Sequence, residues 1–135
     1  MKKLLSTKYS AGAFNTALLL LRVGSGILIM HHGYDKMIHF DAFKNVFTNF
    51  LGIGQPMSLA LTIFAEFFCG LFVVLGLFTR LAAIPLIINM SVAVFKAHNL
   101  DVFGKGEPAT LFLTCFVVLL LVGPGRISVD GMSGK

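Results

Sequence analysis

Four stretches of this chain, at residues 14–33, 56–78, 79–97 and 108–123, stay apolar for close to the thickness of a bilayer. A helix rises about 1.5 Å per residue and a hydrocarbon core is about 30 Å deep, so each run is near the length of a transmembrane helix. Four such runs nearly exhaust a chain of 135 residues. Only 13% of the residues are charged and 56% are hydrophobic, whereas a soluble domain carries about 25% charged residues. Too few polar groups remain to coat a water-soluble globule. The expected fold class is all-α: an integral membrane four-helix antiparallel bundle, a single domain over 1–135, in contact with the lipid bilayer.

Proline and glycine mark the boundaries. Pro56 and Pro108 stand where the second and fourth helices should begin, a position that tolerates the missing N–H. Gly123-Pro124-Gly125 stops the fourth, and Pro85 predicts a bend within the third. Spans two and three meet at Thr79 and Arg80 with almost no linker, which requires a tight hairpin. Lys2 and Lys3 ahead of Leu18 to Leu21 imitate a signal peptide, but Arg22 interrupts the apolar core and no clean cleavage site follows. A retained first span is expected.

The longer link between spans one and two places Phe40, Phe43, Val46, Phe47 and Phe50 at helical spacing, opposite Asp41, Lys44, Asn45, Thr48 and Asn49. This predicts a short amphipathic helix that lies in the interface or lids the bundle. Four spans return both termini to one side, which collects Lys2, Lys3, Lys8, Arg80, Arg126 and Lys135. Lys36, Lys44, Lys96 and Lys105 share the other side with most of the acidic residues, so the positive-inside rule predicts cytoplasmic termini. Tyr9 and Tyr34 flank the first span as interfacial anchors. The net charge of +5 comes from scattered single residues, which gives no footing for nucleic acid. Cys69 and Cys115 both fall in apolar runs, too few for a zinc site, and no metal is expected.

Charge at the bilayer centre costs at least about 2.5 kcal/mol on insertion scales. Arg22 and Glu66 both fall near the middle of their expected spans and are predicted to pair across antiparallel neighbours, guanidinium against carboxylate. Lys36 shares an arc with Arg22, as do Asn15, Gly26 and Gly33; Thr62, Cys69 and Gly70 share the Glu66 face. Asn89 and Lys96 align on span three, and Glu107, Thr110 and Thr114 on span four. One polar stripe per helix predicts a convergent intramembrane seam, with Arg22, Glu66, His32, Lys36, Asn89 and Thr62 as the leading ligand-binding residues. Cys69, Thr114, Lys96 and Glu107 are secondary. The plainer reading is ordinary interhelical hydrogen bonding and a register-fixing ion pair. Histidines on two helices, His31 and His32 with His98, admit a bis-histidine haem or metal centre, but solvated interfacial tips explain them better. Cys69 reads as an inert buried thiol.

Three segments together resemble the DoxX family of small bacterial membrane proteins. They are Arg22-Val23-Gly24 leading to His32-Gly33-Tyr34-Asp35-Lys36; Glu66 and Gly70 followed by Gly76-Leu77-Phe78-Thr79-Arg80; and Gly123-Pro124-Gly125 with Ser128 and Asp130. The resemblance implies a four-helix membrane bundle in the bacterial cytoplasmic membrane and a redox setting, since relatives include a membrane subunit of a thiosulfate:quinone oxidoreductase. It assigns no catalytic residue. The leading expectation is a membrane subunit of an oxidoreductase system that binds a quinone-like molecule at the seam. The alternatives are a small-solute or proton carrier and a structural scaffold for redox partner proteins; under any of the three, redox protein partners and homo-oligomerisation are open.

Overall fold

The first helix begins where the Ser10 hydroxyl accepts the backbone N–H of Ala13 at 3.0 Å, satisfying one of the donors that every helix start leaves orphaned. In the computed structural model, which describes residues 2–49 and 52–134, this helix, α1, runs unbroken over Ala11–Ile38. It carries on well past Gly33, the end expected for the first span. A single turn, α2, follows at Phe40–Phe43. The longer helices α3 (Gln55–Leu75) and α4 (Thr79–Ala97) come next. They are followed by α5 (Glu107–Val122) and a closing turn, α6 (Val129–Met132).

Local chemistry sets these boundaries. Pro56 and Pro108 each sit in the first turn of their helix. Gly76 ends α3 in the left-handed region at φ 71°, and the N–H of Leu77 reaches back to the carbonyl of Phe72 at 2.9 Å, the wrap-back pattern that glycine permits at a helix end. The α3–α4 connection is as tight as expected. Pro85 lies inside α4, which remains helical around it. Two helices contain a widened π turn, at Phe64–Cys69 in α3 and at Ala93–Ala97 in α4.

The amphipathic helix expected between the first two spans shrinks to the one turn of α2. Residues 44–46 continue as turns, and the Asn49 side chain accepts the N–H of Gly54 at 2.9 Å. Asn45, Thr48 and Asn49 offer the backbone local alternatives to a helix. Phe50, which belonged to the expected apolar face, lies outside the described residues.

α1 packs along α3, α4 along α5, and the α3–α4 and α1–α5 contacts join the two pairs. α1, α3 and α4 are long and apolar enough to cross a membrane; α5, of 16 residues, is a shorter apolar helix. The buried core draws on all four helices. Ile29, Cys69, Val73, Leu86, Phe116 and Leu119 are each no more than 4% exposed and form an apolar plug. Above and below that plug lie two separate polar clusters.

Candidate functional site

Glycine fixes how α1 and α3 face each other. A Cβ on Gly26 would sit 3.2 Å from the carbonyl oxygen of Gly70, and one on Gly33 would fall 2.7 Å from the backbone nitrogen of Phe67. Bare backbone at both places lets the two helices approach closely. The register that follows sets Gly33 against the π turn that holds Glu66, and Arg22 against Val74. Arg22 and Glu66 therefore do not pair. Gly33 is eleven positions beyond Arg22 on α1, about 16 Å along the axis. Both charges are still near the middle of their helices; it is the slide of α1 along α3, setting Gly33 rather than Arg22 beside Glu66, that separates them.

Glu66 takes Lys36 instead. Lys36 lies one turn beyond Gly33 and its Nζ donates to Glu66 Oε1 at 2.7 Å and Oε2 at 3.1 Å. Asn89 Nδ2 donates to Oε2 at 3.3 Å, and Thr62 Oγ1 donates to Asn89 Oδ1 at 3.0 Å. Glu66 is 2% exposed while the Lys36 side chain is 24% exposed, so the carboxylate is held inside and the ammonium leads outward along a flexible stem. Burying a carboxylate is tolerable only when its charge and lone pairs are matched in this way. π turns within α-helices recur at functional sites, where they displace side chains from the regular helical path; the one in α3 carries Glu66.

This network forms one wall of a cavity of about 620 Å³ that opens between α1, α3, α4 and α5. The remaining wall is mostly apolar, with Ile29, Leu61, Ile88 and Phe112. His32 also lines it and stands edge-on to Phe112, ring centroids 5.7 Å apart. His98, Lys105, Phe47 and Thr48 line it as well.

The second cluster is built on Arg22, which is 2% exposed. Its Nη1 donates to the carbonyl of Pro124 at 2.7 Å, Nη2 to that of Ile127 at 2.8 Å, and Nε to that of Val74 at 3.4 Å. Asp130 accepts the N–H of Phe78 at 3.0 Å and of Thr79 at 3.2 Å, placing a carboxylate on the start of α4, where the helix dipole favours it. The chain after α5 is thus folded back against the helices and fastened to α1, α3 and α4. Sequence reasoning had given no role to Asp130 or to the carbonyls of Pro124 and Ile127; the signal available was Gly123-Pro124-Gly125 with Ser128 and Asp130, a glycine-rich turn followed by capping residues.

The DoxX family profile matches residues 17–99, which include Arg22, Lys36, Glu66 and Asn89. The chain belongs to the DoxX family. It is 29% identical to the inner membrane protein YphA of Escherichia coli, over 90% of this chain and 94% of that protein. It is 31% identical to the membrane protein Rv3486 of Mycobacterium tuberculosis, over 88% of this chain and 82% of that one. A Bacillus subtilis relative named "Putative oxidoreductase CatD" is 30% identical over 87% of each chain. No solved structure matches.

In this DoxX chain the other expected seam residues scatter. Thr114 is exposed and its hydroxyl donates to the carbonyl of Thr110 in its own helix at 3.0 Å. Glu107 is exposed at the start of α5. Lys96 donates to the carbonyl of Asn49 at 2.8 Å. The polar stripe expected on span four does not turn inward, because its threonines satisfy themselves on backbone carbonyls one turn earlier. What α5 presents inward is apolar: Ala109, Phe116 and Leu119. Cys69 packs in the apolar plug.

Proposed function

We propose that this DoxX protein is a membrane-embedded component of an oxidoreductase system that binds a quinone-like molecule in the Glu66 cavity. It does so as a four-helix membrane bundle with both termini on the cytoplasmic side. One observation carries the reading: a mostly apolar cavity has an internally balanced Glu66–Lys36–Asn89 network at its wall. Its volume of about 620 Å³ falls within the range of ligand pockets, and such pockets characteristically pair apolar walls with a few placed polar groups. Lys36 Nζ and Asn89 Nδ2 would donate to the oxygens of a quinone head, and Glu66 would accept from the hydroxyls of the reduced form. The aliphatic walls suit a hydrocarbon tail. The name of the Bacillus subtilis relative agrees with a redox setting.

The test is an anaerobic titration of the purified protein with the reduced, quinol forms of ubiquinone and menaquinone analogues, whose hydroxyls would donate to Glu66. Wild type is expected to bind saturably and Glu66→Gln to bind at least about tenfold more weakly, the worth of one charge-assisted hydrogen bond. Linear partitioning in wild type, or equal affinity in the variant, would defeat the reading. An absorption spectrum of the same sample separates it from a haem centre.

A scaffold for redox partner proteins is the second reading, favoured by the Arg22 cluster, which ties three helices together away from the cavity. Under it, Lys36→Leu with Glu66→Leu would leave activity of the intact system unchanged. A carrier finds less support, because a relay needs ionisable groups in sequence across the membrane and the apolar plug stands between Glu66 and Arg22.

A further inference from the structure

A second cavity, of about 840 Å³, lies at the opposite end of the molecule from Glu66, between the start of α1, the α3–α4 turn and the chain after α5. Arg80 and Arg126 line it together with Phe14, Phe78 and Leu81. Those three apolar side chains are 39%, 49% and 68% exposed. Cationic groups and exposed apolar groups are thus juxtaposed where the apolar helices end.

The charge balance of this groove is positive. Arg80 spends part of its fork on the carbonyl of Val122 at 3.2 Å, which leaves other N–H donors of the guanidinium. The Arg126 side chain has no hydrogen-bond or ion-pair partner among the described residues; only its backbone N–H is engaged, by Asn15. Asp130 is the single side-chain carboxylate in the lining among the described residues. Both of its oxygens are committed to the start of α4, and its charge is set against that of buried Arg22. The exposed acidic residues Asp35, Asp41, Asp101 and Glu107 belong to loops and helix ends at the other end of the molecule. Two cations therefore face outward with no competing anion among the described residues. Thr79, fully buried in the groove floor, is the one residue whose buried side-chain oxygen lacks a hydrogen-bond partner among the described residues.

We propose that this groove is a binding site for the phosphate-bearing headgroup of an anionic phospholipid, held by Arg80 and Arg126, with the acyl chains running along Phe78 and Leu81. Guanidinium groups bind phosphate oxygens through paired N–H donors. The exposed apolar rim favours a lipid over free phosphate, which has no use for Phe78 or Leu81. The site does not depend on what the Glu66 cavity binds.

Native mass spectrometry of the full chain in neutral detergent tests the proposal, with phosphatidylglycerol, phosphatidylcholine and inorganic phosphate as probes. Wild type is expected to retain one phosphatidylglycerol with about 25-fold preference over phosphatidylcholine, each arginine contributing about fivefold. Arg126→Gln, which removes a side chain without internal partners and so leaves the fold intact, should lower that preference about fivefold. Arg80→Gln with Arg126→Gln should abolish it, while Lys44→Gln with Lys105→Gln at the far end should not alter it. Equal retention of the two lipids by wild type would overturn the site, as would a preference that survives the double variant. Complete displacement by millimolar phosphate would show a free-anion site and overturn the lipid assignment.

Discussion

At the residue scale, the two charges most conspicuous in the sequence do different work in different places. Arg22 gathers the carbonyls of Val74, Pro124 and Ile127, while Glu66 is neutralised by Lys36 and braced by Asn89. Groups so far apart, with no shared partner, should contribute independently to stability. A double-mutant cycle on Arg22→Leu and Glu66→Gln is expected to be additive to within about 0.5 kcal/mol in reversible unfolding in detergent. The cycle on Lys36→Gln and Glu66→Gln should show coupling of about 1 kcal/mol, because either single change leaves a charge without its counterpart. Coupling between Arg22 and Glu66 as large as that between Lys36 and Glu66 would contradict the geometry. That both residues are buried and inward-facing was legible, because lipid does not tolerate bare charge. Their partners were not. Partner choice depends on the relative sliding of two helices, and a slide of two or three turns leaves each helix's own pattern unchanged.

At the element scale, that sliding is set where side chains are missing. Gly33 meets backbone and Cβ atoms of α3, whereas Gly24, in the same helix, has nothing within 4 Å of where a Cβ would be. Gly33→Ala must therefore push α1 off α3 and lengthen the Lys36–Glu66 contact, at about 1–3 kcal/mol for overpacking. Gly24→Ala should be neutral or stabilise by up to about 1 kcal/mol through helix propensity. Thermal unfolding of the two variants in one detergent checks the contrast, and equal effects would refute the close approach. The helices themselves could be read from the apolar runs. The 79–97 span agrees with α4, because Gly76 and Thr79 on one side and His98 on the other bracket it sharply. The first span was set too short, since His31, His32, Asp35 and Lys36 resembled a helix end although helical backbone continues through them. The π turns left no mark in the sequence, and the direction of the α5 threonines could not be deduced from spacing that fits either face.

For the whole molecule, α1 begins and the chain after α5 closes at the same end, joined where the N–H of Arg126 meets the Asn15 side chain at 2.9 Å. Single-cysteine labelling reads the proposed orientation. With Cys69 and Cys115 replaced by alanine, Thr7→Cys and Ser133→Cys should react with an impermeant maleimide only in inverted membrane vesicles, and Asp41→Cys only in intact spheroplasts. Labelling of Thr7→Cys and Ser133→Cys from opposite faces would defeat the proposed orientation. The apolar plug of Val73, Leu86, Phe116 and Leu119, none of them exposed, acts across the molecule as a septum without a door. A molecule entering the Glu66 chamber would therefore have to leave by the way it came, and the Arg22 end would exchange nothing with it.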